Sequence, residues 1–230
     1  MKAPSKQKVG LFGLSGNPTH KGHLAAARAA KEVLGLDAVW LMINPHNPLK
    51  DPSVYASYEH REHLARLEVT NLAHSESWLQ VSDYEKRLRD RKIPNETITM
   101  LQYFEHEYPD LEPVWLMGAD NLATIHTWGG EWNRILEEYT VAVFSREGNN
   151  GAAQNSVTAR AYRDEQVPAH ELLGAGRGYW SFIDAVAHSA SSTEIRKQVL
   201  TGQHSEHISE QSREYILQNG LYRPKALQDS

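Results

Sequence analysis

Val9-Gly10-Leu11-Phe12-Gly13-Leu14-Ser15-Gly16-Asn17-Pro18-Thr19-His20-Lys21-Gly22-His23 starts apolar, breaks on small residues and a proline, and carries two histidines into an alanine-rich segment. Such a stretch reads as a buried strand, a loop and a helix, the first half of a βαβ unit. Gly13 and Gly16 allow the loop backbone angles and close approaches that a Cβ would obstruct. The start of the next helix offers unpaired N–H groups and partial positive charge, which suit an anion. His20 and His23, three apart, share one face of a first helical turn. Three uses stay open for them: hydrogen bonds to a phosphate, a solvated pair, or half of a zinc site. Zinc would need a distant His or carboxylate, because the chain has no cysteine.

Outward from this stretch, strands and helices alternate. Leu24 to Leu34 reads as a helix closed by Gly35. Ala38 to Ile43 is a continuous apolar run, as in a strand covered on both faces. The two prolines of Asn44-Pro45-His46-Asn47-Pro48-Leu49-Lys50 end it, and Lys50 either reaches a phosphate there or is solvated. Tyr58 to Ala73 is an amphipathic helix, Leu79-Gln80-Val81 a short strand, and the charged run Asp83 to Lys92 an exposed loop or helix edge. A helix from about Glu96 to His106 precedes the strand Pro113 to Met117, which leads into Gly118-Ala119-Asp120-Asn121. Two short helices, Asp120 to His126 and Glu131 to Glu138, flank Thr127-Trp128-Gly129-Gly130. Val141 to Phe144 is a strand ending at Ser145-Arg146, 152–177 is partly helical, Tyr179 to Ile183 is the last strand, and Ser209 to Tyr222 is a helix. No linker or repeat divides the chain, so residues 1–230 read as one doubly wound α/β domain with the helices from about 190 packed on it.

Composition sets the bounds. The 230 residues are 40% hydrophobic and 23% charged, ordinary for a globular protein able to bury a large core. A formal net charge of -5 with no basic stripe argues against nucleic-acid binding. The absence of cysteine removes disulfides and thiol catalysis. Neither a signal peptide nor a membrane-spanning run is recognisable, which makes the cytoplasm the expected compartment.

Late in the chain, Ser189-Ala190-Ser191-Ser192-Thr193-Glu194-Ile195-Arg196 sets three adjacent hydroxyl residues before an arginine. Ser191 and Glu194 have capping-box spacing, so a helix begins near Ser192. That is a full account for an ordinary helix start. The alternative is that N–H groups, hydroxyls and the Arg196 guanidinium converge on triphosphate oxygens and a leaving pyrophosphate.

The first stretch resembles the signature G-x-[ST]-x-[ND]-P-x-H-x-G-H of the nucleotidyltransferases with a T/HxGH motif. Ser15, Asn17, Pro18, His20, Gly22 and His23 are in register, while Leu14 stands for the usual second glycine and Gly16 for the usual phenylalanine. The late stretch resembles the same family's I-S-S-T-x-I-R, with Ala190 for isoleucine. Gly118 to Leu122, Thr127-Trp128, Ile135-Leu136, Val141 to Arg146, Pro48, Lys50, Tyr215-Ile216 and Leu221-Tyr222 are similar to bacterial nicotinate-nucleotide adenylyltransferases. The resemblance implies a Rossmann-like doubly wound parallel sheet with helices on both faces and a C-terminal helical segment. It implies transfer of AMP from ATP to nicotinate mononucleotide, releasing pyrophosphate, in NAD biosynthesis.

By that resemblance His20, His23 and Arg196 are catalytic, and ATP is held by Gly13, Leu14, Ser15, Gly16, Asn17, Gly118, Asp120, Ser191, Ser192 and Thr193. Lys50, Thr99, Trp128 and Arg146 serve the acceptor, Trp128 stacking on the pyridine ring. Asn95-Glu96-Thr97-Ile98-Thr99 departs from the family's Y-T-x-x-T, and Glu96 would repel a carboxylate. Mg²⁺ enters with ATP, bound through substrate and water, so no protein metal site is expected. The implied partners are ATP and nicotinate mononucleotide, with a homo-oligomer left open. Nicotinamide mononucleotide or phosphopantetheine as acceptor, and a nucleotide-binding regulator without catalysis, remain as alternatives.

Overall fold

The computed structural model describes residues 6–45, 55–72, 77–94, 96–145, 150–184 and 190–223. Six strands, β1 (Gln7–Leu14), β2 (Ala38–Ile43), β3 (Leu79–Ser82), β4 (Leu111–Gly118), β5 (Thr140–Ser145) and β6 (Trp180–Asp184), form one sheet in the order β3-β2-β1-β4-β5-β6. Every pairing is parallel, with Leu11 of β1 opposite Trp40 on one side and Trp115 on the other. The order reverses between β1 and β4, so loops at their carboxyl ends diverge and leave a crevice, where such sheets bind ligands.

The strands are apolar throughout because both faces are covered. One face packs Trp115, Met117, Val141, Val143 and Trp180 against α4 (Thr97–Glu107) and α6 (Asn133–Glu138). The other packs Leu41, Ile43, Leu116 and Ala142 against α1 (Lys21–Leu34), whose buried alanines bring it close to the sheet. Gly35 ends α1 in the left-handed region at φ 67°, its N–H donating to the Lys31 carbonyl.

Of the two readings of the charged run 83–92, exposed loop or helix edge, the structure shows a helix. The run holds α3 (Tyr84–Asp90), because Tyr84, Glu85 and Leu88 share a helical face and are buried while the Lys and Arg side chains lie outward. Tyr84 meets Phe104 edge-on at 5.6 Å. The weakly periodic 152–177 contains the short helices α7 (Asn150–Gln154), α8 (Val157–Ala161) and α9 (Leu172–Ala175). A third apolar cluster joins Leu64 of α2 (Tyr58–Leu72) to Ile195 and Val199 of α10 (Ser192–Leu200) and Ile216 of α11 (Glu210–Gln218). Glu68 of α2 accepts from the Ser209 N–H and hydroxyl, both at 2.8 Å, fixing the start of α11. Among the described residues no helix is long and apolar enough to cross a membrane.

Candidate active site

The loop after β1 is built from inside. Gly16 has φ 58°, a conformation open to glycine and costly for most other residues, so the flexible position sits here and not at 14. Leu14 ends β1 with its side chain in the core, and its carbonyl accepts the Asn44 N–H at 3.0 Å. Gly13 is a packing requirement: a Cβ there would strike the Trp115 indole. Ser15 is half-buried. Asn17 is buried, and its side-chain oxygen accepts from the Ala56 N–H at 3.1 Å, so this side chain staples the loop.

His20 is the N-cap residue of α1 and only 3% exposed, whereas His23 is half-buried. Their ring centroids are 3.8 Å apart, and His23 Nδ1 accepts the His20 N–H at 3.3 Å. Phe12 flanks the His23 ring at 6.2 Å. A Cβ at Gly22 would crowd the His20 ring and Ala190, so glycine lets the late stretch close over the imidazole pair. The donors expected at the start of α1 are partly committed. Lys21 N–H goes to the His207 carbonyl and His23 N–H to the His20 carbonyl, both at 2.9 Å.

The late stretch docks on this loop. Ser192 Oγ donates to the Pro18 carbonyl at 3.0 Å, and Arg196 Nη1 donates to the Asn17 carbonyl at 2.7 Å. Arg196 Nη2 donates to Thr193 Oγ1 at 3.2 Å, and the guanidinium lies 5.8 Å from the Tyr222 ring centroid. Two regions about 170 residues apart in sequence thus meet at the start of α1. α10 begins at Ser192 as the spacing predicts, yet the Ser191 side chain makes no capping bond, so the first turn keeps its outward N–H groups.

A third element was missed from sequence. Arg61 on α2 is 1% exposed, and its Nη1 donates to the carbonyls of Ser15 (2.6 Å) and Asn44 (2.8 Å). Its Nη2 donates to the Pro45 carbonyl at 3.2 Å and its Nε to Ala56 at 3.0 Å. Tyr55 and Tyr58 rings lie 5.2 and 5.9 Å from the guanidinium. Burial pulls the guanidinium below its ordinary pKa. Nearby on α3, burial pushes the Glu85 carboxyl up to about 8 against the opposing charge of Arg61. Only the periodicity of α2, which puts Arg61 on the same side as Leu64 and Ala65, could have signalled its burial.

The other candidates are more scattered. Gly118 ends β4 and precedes α5 (Ala119–Thr124), and a Cβ on it would collide with the Asp120 carboxylate, which folds back over the turn. Thr99 is half-buried in the first turn of α4. Trp128 is half-buried against the sheet, with its Nε1 buried and without a partner among the described residues. Glu96, ahead of α4, lies 3.3 Å from where a Cβ of Gly130 would stand, which brings the start of α4 beside the Trp128 turn. Lys50 and Arg146 fall outside the described residues. Among the described residues no three His, Asp or Glu side chains gather to hold a metal ion.

Residues 11–198 match the cytidylyltransferase-like family. A probable nicotinate-nucleotide adenylyltransferase of Ruegeria sp. (strain TM1040) is 39% identical over 193 residues, covering 83% of this chain and 96% of that protein. One from Parvibaculum lavamentivorans is 36% identical over 200 residues, covering 83% and 92%. Among solved structures, Plasmodium falciparum nicotinic acid mononucleotide adenylyltransferase complexed with NaAD superposes with a TM-score of 0.71 at 16% identity, covering 96% of this chain and 99% of that one. At that identity the superposition speaks for the fold.

Proposed function

Because this chain belongs to the nicotinate-nucleotide adenylyltransferases of the cytidylyltransferase-like family, we propose that it transfers AMP from ATP to nicotinate mononucleotide in NAD biosynthesis. The observation that carries the mechanism is the docking of Ser192 and Arg196 onto the loop that leads into the His20–His23 pair. A phosphate oxygen of the mononucleotide attacks the α-phosphorus of ATP in line, and the bond from that phosphorus to the β-bridging oxygen breaks. The nucleophile is already ionised at neutral pH, so no strong base is needed. The barrier lies in bringing two polyanions together and in neutralising the departing pyrophosphate.

In this reading His20 and His23 donate to phosphate oxygens around the reacting phosphorus. Arg196, Ser192 and Thr193 hold the β- and γ-phosphates, with Ser191 at the mouth of the same helix. Gly13, Leu14, Ser15, Gly16 and Asn17 shape the nucleotide loop, and Gly118 and Asp120 line the opposite side of the crevice. Trp128 stacks on the pyridine, with Thr99, Lys50 and Arg146 toward the acceptor. A divalent cation, Mg²⁺ in cells, arrives with ATP as part of the substrate. The chain then works as one nucleotidyltransferase domain over residues 1–230, in the cytoplasm where its substrates are.

The test is to incubate the protein with ATP, Mg²⁺ and each of nicotinate mononucleotide, nicotinamide mononucleotide and phosphopantetheine, measuring pyrophosphate and adenylylated product. Dinucleotide formed with the acid mononucleotide at the highest kcat/KM is the expected outcome. ATP binding without product from any acceptor would overturn the reading in favour of a regulator.

A further inference from the structure

We infer that Arg61 is a positioning residue for the triphosphate: it holds the loop after β1 and the Asn44–Pro45 exit of β2 from behind and sets a buried positive charge under them. The inference rests on the adenylyl-transfer reading above. Four donations from its guanidinium all end on backbone carbonyls, those of Ser15, Asn44, Pro45 and Ala56. No carboxylate among the described residues comes within ion-pair distance of it, although Glu85 on α3 and Glu59 on α2 feel its charge, and the Arg66–Glu62 pair of α2 is on the outer side. A guanidinium does not lose its proton inside a protein, so the charge stays. A buried charge whose direct bonds all end on neutral carbonyls is costly unless something answers it. Here the available answer is the polyphosphate on the far side of the loop.

The geometry gives that charge a second effect. A trans peptide points its C=O and N–H to opposite sides. Drawing the Ser15 carbonyl toward Arg61 therefore turns the Gly16 N–H away from it, and drawing the Pro18 carbonyl toward Ser192 does the same for Thr19. Gly16 at φ 58° is the residue that accepts this twist. Arg61 and Arg196 so act as a pair: each grips a carbonyl of one short loop, from α2 and α10, and the loop between them is left with its donors turned the other way. Tyr58 and Tyr55 lie beside Arg61, which is buried, and Tyr222 lies beside the half-buried Arg196.

The experiment compares wild type with Arg61→Ala and Arg61→Lys, using calorimetric binding of Mg·ATP alongside steady-state transfer. The alanine variant is expected to bind ATP about tenfold or more weakly, with a far smaller change in the acceptor KM, because the charge faces phosphates. The lysine variant, keeping charge but not the fork, should fall between. Guanidinium at tens of millimolar should restore ATP binding to Arg61→Ala, while urea, of the same shape but neutral, and sodium chloride at equal ionic strength should not. A folded Arg61→Ala that binds ATP within about twofold of wild type overturns the inference, since that is a negligible free-energy change. Rescue by urea as good as by guanidinium overturns it too, because shape alone would then suffice. If Arg61→Ala does not fold, Arg61→Lys decides: unchanged ATP binding and unchanged kcat sink the proposal, and a selective rise in the ATP KM supports it. Wild-type protein that binds ATP but forms no product would overturn the transfer reading and leave the binding comparison to judge Arg61.

Discussion

The proposed phosphate end of the crevice and the proposed acceptor end are built differently. At the phosphate end, three carbonyls of one loop, at Ser15, Asn17 and Pro18, are each gripped by a side chain from a distant helix. At the acceptor end, Thr99 and Trp128 are half-buried, and Glu96 and Gly130 are exposed. Preorganised donors lower a barrier because they need no rearrangement when charge moves. A loosely tied pocket instead lets side chains exchange without disturbing the chemistry. The contrast teaches where each kind of change should register: turnover and ATP binding at one end, affinity for and choice of acceptor at the other.

The sharpest way to break that contrast is His23→Ala. Turnover should fall by roughly 10²-fold or more, the scale of losing one transition-state donor, with the melting temperature little altered. A folded variant of near-normal kcat would remove His23 from the chemistry. Arg196→Lys comes next, with kcat lower by about 10-fold to 100-fold, because an ammonium cannot reach the Asn17 carbonyl and Thr193 with the same fork. If the loss appears only in the acceptor KM, the two ends are not separable as described. Trp128→Ala tests the other end. The KM for the mononucleotide should rise about tenfold, in line with loss of one base-stacking platform, while kcat stays within a few-fold. A fall in kcat at constant KM would place this indole in the chemistry.

The smallest effect concerns stability. Glu85 takes up its proton near pH 8 in the fold, against 4.5 ordinarily, because burial disfavours the carboxylate. Its contribution is fully present below pH 4.5 and is lost as pH rises through about 8. The wild-type melting temperature should therefore fall between pH 4.5 and about pH 8 more steeply than that of Glu85→Gln, by roughly a few degrees, and run parallel to it above that. Curves parallel throughout would show that this carboxyl is ionised in the fold.

Much of this was legible in the sequence for a physical reason. Strands covered on both faces are continuous apolar runs, so Ala38–Ile43 and Thr140–Ser145 announce themselves. The Gly-rich loop and the Ser-Ser-Thr start of α10 are local patterns, visible without any knowledge of partners. What stayed hidden is what depends on distance. Arg61 meets Ser15 across 46 positions, and a single arginine in a charged amphipathic helix looks solvated until packing covers it. α3 is masked because its charged outer side outnumbers three inward residues in a helix of only seven. Gly13 reads as a flexible loop residue, yet it lies within β1 as space for Trp115, a fact that only the neighbouring strand reveals. The proposed roles of Lys50 and Arg146 rest on sequence alone.

The last strand ends at Asp184, and the arginine that clasps the Asn17 carbonyl comes twelve residues further on, at 196. The last strand of the sheet is therefore translated before the second jaw of the clasp. A chain stalled or clipped in that interval would own a complete sheet and both imidazoles but lack Ser192, Arg196 and their hold on the β1 loop. If Arg196 acts as proposed, competence waits on the part of the chain made last, when α10 seats itself against the β1 loop.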